Sequence, residues 1–486
     1  MRLGFEHSYA GLPPRFYARV EPTAAADPKL VVFNRPLAAE LGLDVERLEG
    51  AAAALLSGNR LAEDSMPIAM AYAGHQFGQF VPQLGDGRAI LLGEIRGRDG
   101  ILRDVQLKGS GLTPFSRGGD GRAAIGPMLR EYIISEAMCA FGIPTTRSLA
   151  VVTTGEHVFR DRVLPGAVLT RVAQSHVRVG TFQYFAARED QDAVRDLLHY
   201  VIARHYPEAR DVEVPALAVL QAVADRQATL IAQWLQVGFI HGVMNTDNMA
   251  ISGETIDYGP CAFMDEYHPD TVYSSIDHQG RYAYANQPVI AQWNLARLAE
   301  TLLPLIDADV DKAVARAIEV VQPFIARFEA HFIDGMCRKI GIAQSREGDA
   351  GLVKRLLAAM DAASADFTLT FRALATAAEG DETELRAMFA EPTAIEDWLA
   401  DWRRRLEQET WSGTERVAAM RRASPAFIPR NHRVEAVLNA ASEGDLEPLH
   451  RLLGILQRPF DEQPEANDYA RPPEPAERVL RTFCGT

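Results

Sequence analysis

"HGVMNTDN", residues 241–248, is the stretch on which the reading of this chain turns. Phosphoryl-transfer loops follow the pattern His-x-Asp-x-x-x-x-Asn, in which the Asp takes the proton of the substrate hydroxyl and the Asn holds a metal ion. Here His241 and Asn248 keep that separation, but Val243 stands at the Asp position. A valine side chain cannot accept a proton. The loop therefore belongs either to an inactive relative of such enzymes or to an enzyme that runs a different transfer.

Nine residues after Asn248 comes "IDYG", with Asp257 between an apolar residue and an aromatic-glycine pair. This is the arrangement of the kinase D-F-G element, whose Asp binds the metal that bridges nucleotide phosphates. An Asp-aromatic-Gly alone is no more than a turn signal; in tandem with residues 241–248 it makes Asn248 and Asp257 a candidate metal pair. One neutral and one anionic oxygen suit Mg2+ or Mn2+ shared with phosphates. Upstream, Lys108 ends the strand-like "DVQLKGS" and Glu131 lies in the helix-like "PMLREYIISEAMCAFG". A strand lysine held by a helix carboxylate is how kinases present an ammonium group to phosphates, although most Lys and Glu residues are simply solvated.

Two glycine loops and two arginines complete the set. "QLGDGRAILLGE" carries Gly85, Gly87 and Arg88, and "SRGGDGRAA" carries Asp120 and Gly121. Glycines let backbone N–H groups approach phosphate oxygens, and guanidinium forks bind them bidentately, yet Asp-Gly is also the commonest hairpin turn. Arg171 and Arg178 in "TRVAQSHVRVGTF" lie close to the junction between the strand-rich and helical parts. Asp247, beside Asn248, is the carboxylate that could replace the missing base if the nucleotide sits differently, with its α-phosphate toward the loop.

The remaining chain frames these motifs. With 486 residues, of which 47% are hydrophobic, it can bury a large core in roughly two to four domain-sized units. The formal charge of −15 disfavours sequence-independent binding to nucleic acid or an anionic membrane. No run approaches a membrane span of about 20 apolar residues, and the start lacks a signal-peptide core, so a cytoplasmic protein is expected. Four scattered cysteines, Cys139, Cys261, Cys337 and Cys484, indicate neither a zinc site nor a disulfide framework.

Residues 1–65 read as a flanking segment and 66–175 as a small β-rich lobe with strands in "RAILLGEI", "DVQLKGS", "SLAVVTTG" and "VFR…GAVLTRVA". Residues 176–340 read as a helical lobe carrying the catalytic and metal-binding loops, and 341–486 as a helical extension and tail. The fold expected is α+β, a protein-kinase-like two-lobed architecture with an N-terminal flank and a helical C-terminal extension.

The strings "YAGHQFGQFVPQLGDGRAILLGE", "DVQLKGSGLTPFSRGGDGRA", "HGVMNTDNMAISGETIDYGPCAFMDEY" and "IPRNHRVEAVL" resemble the selenoprotein O family of protein adenylyltransferases over essentially the whole chain. The resemblance implies a kinase-like fold that binds ATP in a flipped orientation. It implies transfer of AMP to Ser, Thr or Tyr hydroxyls of protein substrates, with UMP transfer from UTP attributed to bacterial members. By motif position it assigns Asp247 as proton acceptor, Asn248 and Asp257 as metal ligands, and Lys108 with Glu131 as the ion pair. Gly85, Gly87, Arg88, Asp120, Gly121, Arg171 and Arg178 fall on its nucleotide-contacting positions. Some members pair a cysteine after the D-Y-G element with one near the C-terminus; here Cys484 has Tyr273 at the expected partner position, so that redox control is not expected. A phosphoryl-transferring kinase and a non-catalytic nucleotide-binding module are the competing readings; Val243 weighs against the first, and the full set of metal and base candidates against the second.

Overall fold

The computed structural model describes residues 1–160, 162–389 and 393–483. Its N-terminal part is built on one antiparallel sheet and the remainder is helical. Strands β1 (Tyr17–Arg19), β2 (Lys29–Phe33) and β3 (Ile68–Met70) are followed by a small hairpin, β4 (Gly74–Gln76) and β5 (Gln79–Val81). The long strands are β6 (Ala89–Arg96), β7 (Leu102–Lys108), β8 (Arg147–Phe159) and β9 (Val163–Ala173). Seven of these pair in the order β1-β3-β6-β7-β9-β8-β2. The runs expected to be strands form β6 to β9. Val158 and Phe159 end β8 instead of opening the next strand, because β8 resumes pairing with β9 after a register shift between Thr153 and His157 and continues out to Phe159 opposite Val163.

Residues 1–65 are more than a flank: β1 and β2 are the two edges of the sheet. Strands of three and five residues are too short to show a period of two, which is why the sequence hides them. The same segment covers one face. Leu37, Leu41, Leu48 and Leu55 pack with Ile90, Leu92, Val105 and Val168 of the sheet. Phe5 lies so close to β6 that a Cβ on Gly93 would sit 2.9 Å from its ring, so glycine is required there.

The opposite face carries the helix Ile125–Ala140, whose Met128, Leu129 and Ile133 are buried against Leu91, Val151 and Leu169. Full burial of each such side chain contributes about 1.5–3 kcal/mol. The helix stops because Gly142 takes φ +76°, letting Ile143 N–H reach the Met138 carbonyl at 3.0 Å. That packing fixes where Glu131 points.

In the helical part, Pro215–Gln236 leads into β10 (Phe239–Ile240), which pairs with β11 (Ala262–Phe263). This two-stranded ribbon closes the base of the segment bearing both loop motifs. No helix among the described residues is long and apolar enough to cross a membrane.

One buried carboxylate makes the fold's stability depend on pH. Glu254 accepts hydrogen bonds from Gln174 N–H (2.9 Å) and Ser252 Oγ (3.0 Å), and burial pushes its carboxyl up to about 7. Between the ordinary carboxylate range and about 7, the folded chain holds a proton that the unfolded chain releases. Stability from this group is thus fully present at low pH and is lost as pH rises through that window. Glu254→Gln is expected to gain about 1–3 kcal/mol over the wild type between pH 5 and pH 8, read by denaturant unfolding at both values. A wild-type–variant difference that does not move with pH would refute it.

Candidate active site

The loop begins at His241, which serves as scaffold. Its backbone N–H donates to Gln287 Oε1 (3.0 Å), its ring stacks on Trp234 at 5.3 Å with the planes inclined by 27°, and Nε2 sits 2.9 Å from the Ile256 carbonyl. Burial holds the imidazole below its usual pKa and so neutral, which makes Nε2–H the donor to Ile256. His241 thereby ties the 241–248 loop to the residue preceding Asp257.

Asp247 lies in a short helical turn, Thr246–Asn248, and lines the cleft. Gln76 Nε2 donates to its Oδ2 at 3.2 Å, while Oδ1 is buried with no protein partner. A Cβ on Gly74 would stand 2.5 Å from that Oδ1, so only glycine lets β4 cross here. Burial pushes the Asp247 carboxyl up to about 6. Asn248 Nδ2 donates to the Val243 carbonyl (2.9 Å), which commits the amide nitrogen to the loop and leaves the oxygen for a ligand. Val243 itself lines the same cleft.

Asp257 takes φ +67°, a left-handed backbone that non-glycine residues adopt mainly at turns and functional sites. Its Oδ1 accepts from Lys108 Nζ (2.6 Å) and Arg171 Nη2 (3.1 Å). Glu131 completes a ring of charges: Oε2 accepts from Lys108 (2.7 Å) and Oε1 from Arg171 Nε (2.7 Å). Burial opposes ionisation of both carboxyls. The Lys108 ammonium and Arg171 guanidinium outweigh it and hold Asp257 well below the usual range; Arg171 and then Lys108 hold Glu131 below it too.

All the sequence-selected site residues except Glu131 line one cleft of about 860 Å3 between the sheet and the helical part. Gly85, Gly87 and Arg88 come from the approach to β6, and Asp120 and Gly121 from the loop ahead of the helix Ile125–Ala140. Asp120 is pinned by Arg160 at 2.8 Å. Lys108 and Arg171 enter from β7 and β9 of the sheet, and Asp247, Asn248 and Asp257 from the helical part, together with Arg178, which donates to the Asp247 carbonyl (3.0 Å) and lies over the Tyr72 ring (4.3 Å). Glu131 alone is set behind the lining.

Several lining residues carried no sequence signal of their own, among them Tyr72, Gln76, Asn245 and Asp86. Gln76 reaches the loop, 171 residues away, only because β4 and β5 fold over it, and Tyr72 enters beneath Arg178. Asn245 receives Phe77 N–H (3.1 Å) and Tyr282 OH (2.6 Å). Asp86 reads as part of an Asp-Gly turn, yet it is buried, bonded to Met70 N–H (3.0 Å) and Gln106 (3.1 Å), and pushed up to about 6 by that burial.

No group of three or more His, Cys, Asp or Glu side chains that could hold a metal alone occurs among the described residues. A metal in the cleft would need Asn248, Asp257 and oxygens of a bound nucleotide together, and hard oxygen donors of that kind fit Mg2+ or Mn2+. Cys139 is half-buried, and Cys261 and Cys337 are buried, all as free thiols. Cys484 lies outside the described residues. Tyr273, at the position expected to face it, is buried and its carbonyl accepts from Thr482 N–H at 2.8 Å.

Comparison with known proteins places this geometry in a family. Residues 1–457 match the family model described as protein adenylyltransferase SelO. The chain is 61% identical over 485 residues to the protein nucleotidyltransferase YdiU of Rhizobium meliloti (strain 1021), covering 99% of both chains. It is likewise 61% identical over 487 residues to the protein of the same name from Rhodopseudomonas palustris (strain BisB5), again covering 99% of each.

Proposed function

This chain belongs to the protein adenylyltransferase SelO family, and from that premise we propose that it transfers AMP from ATP to Ser, Thr or Tyr hydroxyls of proteins, with UTP as a second donor of UMP. The observation that carries the reading is the pairing of a valine at position 243 with a buried carboxylate, Asp247, whose Oδ1 has no protein partner in a cleft walled by Lys108, Arg171 and Arg178. In this reading the sheet, whose central strands lie within 66–175 and whose edges come from residues 1–65, and the helical part near 176–340 are the two lobes of a kinase-like fold, with the helical extension from 341 onward.

The nucleotide lies flipped, with its α-phosphate toward the 241–248 loop. Lys108, Arg171 and Arg178 bind the phosphates, and the loops bearing Gly85, Gly87 and Arg88 and bearing Asp120 and Gly121 close around the nucleotide. Glu131 positions Lys108 and Arg171. Asn248 and Asp257 would hold the metal, and Mg2+ or Mn2+ bound there would supply neutralisation of phosphate charge. Asp247 accepts the proton of the protein hydroxyl as its oxygen bonds to the α-phosphorus. The bond from the α-phosphorus to the bridging oxygen breaks, and pyrophosphate leaves.

The test is to incubate the protein with Mg2+ or Mn2+ and ATP labelled at either the α- or the γ-phosphate, then follow label into protein. The expected result is α-label alone. Incorporation of γ-label alone would make it a kinase using another base, and incorporation of neither, across a lysate of candidate targets, would favour a non-catalytic nucleotide-binding module.

A further inference from the structure

Arg130 precedes Glu131 on the helix Ile125–Ala140, and its side chain is 5% exposed. Its guanidinium donates to the Cys261 carbonyl at 3.1 Å, just beyond Asp257, and to the Glu435 carboxylate. Glu435 sits on the C-terminal helix Asn431–Ser442, which packs on Ile125–Ala140. The same region reaches the segment after Asp257 by two more routes. Asn431 Nδ2 donates to the Phe263 carbonyl (2.9 Å), and the buried Arg430 donates to Asp265 (2.7 Å) and Asp366 (2.6 Å). None of these side chains lines the cleft.

A lysine–glutamate site works only when the glutamate helix and the metal-binding aspartate are both in place. Here the element carrying Glu131 and the segment carrying Asp257 are bolted to one helix, far along the chain, whose residues do not line the cleft. We propose that the helix Asn431–Ser442 is a built-in clamp for this site, with Arg130, Arg430 and Glu435 as positioning residues that keep Glu131 and Asp257 against the Lys108 and Arg171 cations. The inference rests on the reading of the cleft as the transfer site. It gives the helical extension a definite role, which is to hold the site in its assembled state.

Glu435 is the residue to test, because its side chain is 41% exposed and its loss leaves the core intact. In the full-length protein, Glu435→Ala is expected to lower kcat for transfer about tenfold with a thermal midpoint within about 2 °C of wild type. Hydrogen exchange should rise in residues 125–140 and 257–266 together and nowhere else. Glu435→Gln, which keeps a hydrogen-bond acceptor for Arg130, should restore most of the rate. Asn439→Ala, exposed on the same helix, should change nothing. Wild-type rate and exchange in Glu435→Ala would overturn the clamp, as would a rate loss accompanied by a fall in thermal midpoint and a uniform rise in exchange. Full transfer by a Lys108→Ala reference would count against the cleft reading alone, because exchange reports the clamp without turnover.

Discussion

Asp247→Ala is expected to slow AMP transfer by about 10²–10⁴-fold, the usual contribution of a positioned general base, while nucleotide affinity changes by less than about threefold. The asymmetry follows from what Asp247 touches. Its carboxylate is bonded only to the Gln76 amide; the contact to Arg178 runs through the Asp247 backbone carbonyl, which alanine keeps. The cations that would hold phosphates are therefore undisturbed, and the fold loses one hydrogen bond worth about 1 kcal/mol. Asp247→Asn should be as slow as the alanine variant, since it preserves shape and polarity but cannot take a proton. The measurement is transfer rate alongside equilibrium nucleotide binding. Unchanged transfer in either variant would remove Asp247 from the role of base.

The parts of this site that were legible in the sequence are those whose chemistry is local. Asn248 and Asp257 stand out because a short spacing places both on one loop system, and Lys108 and Glu131 because a strand end and a helix mark their positions. The extra link from Arg171 to both carboxylates was not legible, since it depends on β9 lying beside β7, with Arg171 opposite Gln106 in the sheet. The same limit hid Gln76 and Asn245: Gln76 reaches Asp247, and Asn245 receives Phe77 N–H, only when the β4–β5 hairpin folds over a distant loop. Residues 1–65 looked like a flank because their strands are short, and only sheet order reveals that they supply both edges. Each missed feature is a non-local pairing, a kind of contact that local periodicity cannot encode.

Asp257→Ala should fail differently from Asp247→Ala, because Asp257 sits within a balanced set of charges. Lys108 and Arg171 face Glu131 and Asp257, so the formal charges cancel, and Oδ1 of Asp257 takes a hydrogen bond from both cations. Removing this carboxylate leaves one surplus positive charge near where phosphates would lie. Metal-free ATP is therefore expected to bind at least as tightly as it does to the wild type. The gain in affinity that Mg2+ or Mn2+ brings to the wild type should disappear, and transfer should fall by about 10²–10³-fold, the scale seen when one preorganised electrostatic group is lost. Lys108→Ala makes the contrast: it removes a cation, so ATP binding should weaken with or without metal. The deciding measurement is ATP affinity for the three proteins, each with and without the divalent ion, which reads the pocket independently of turnover. If Asp257→Ala kept the full metal-dependent gain, the ion would rest on other oxygens, and the Asn248–Asp257 pair would lose its assignment. If instead Lys108→Ala left affinity untouched in both conditions, the phosphates would lie away from the β7 cation, and the flipped nucleotide would need a different anchor.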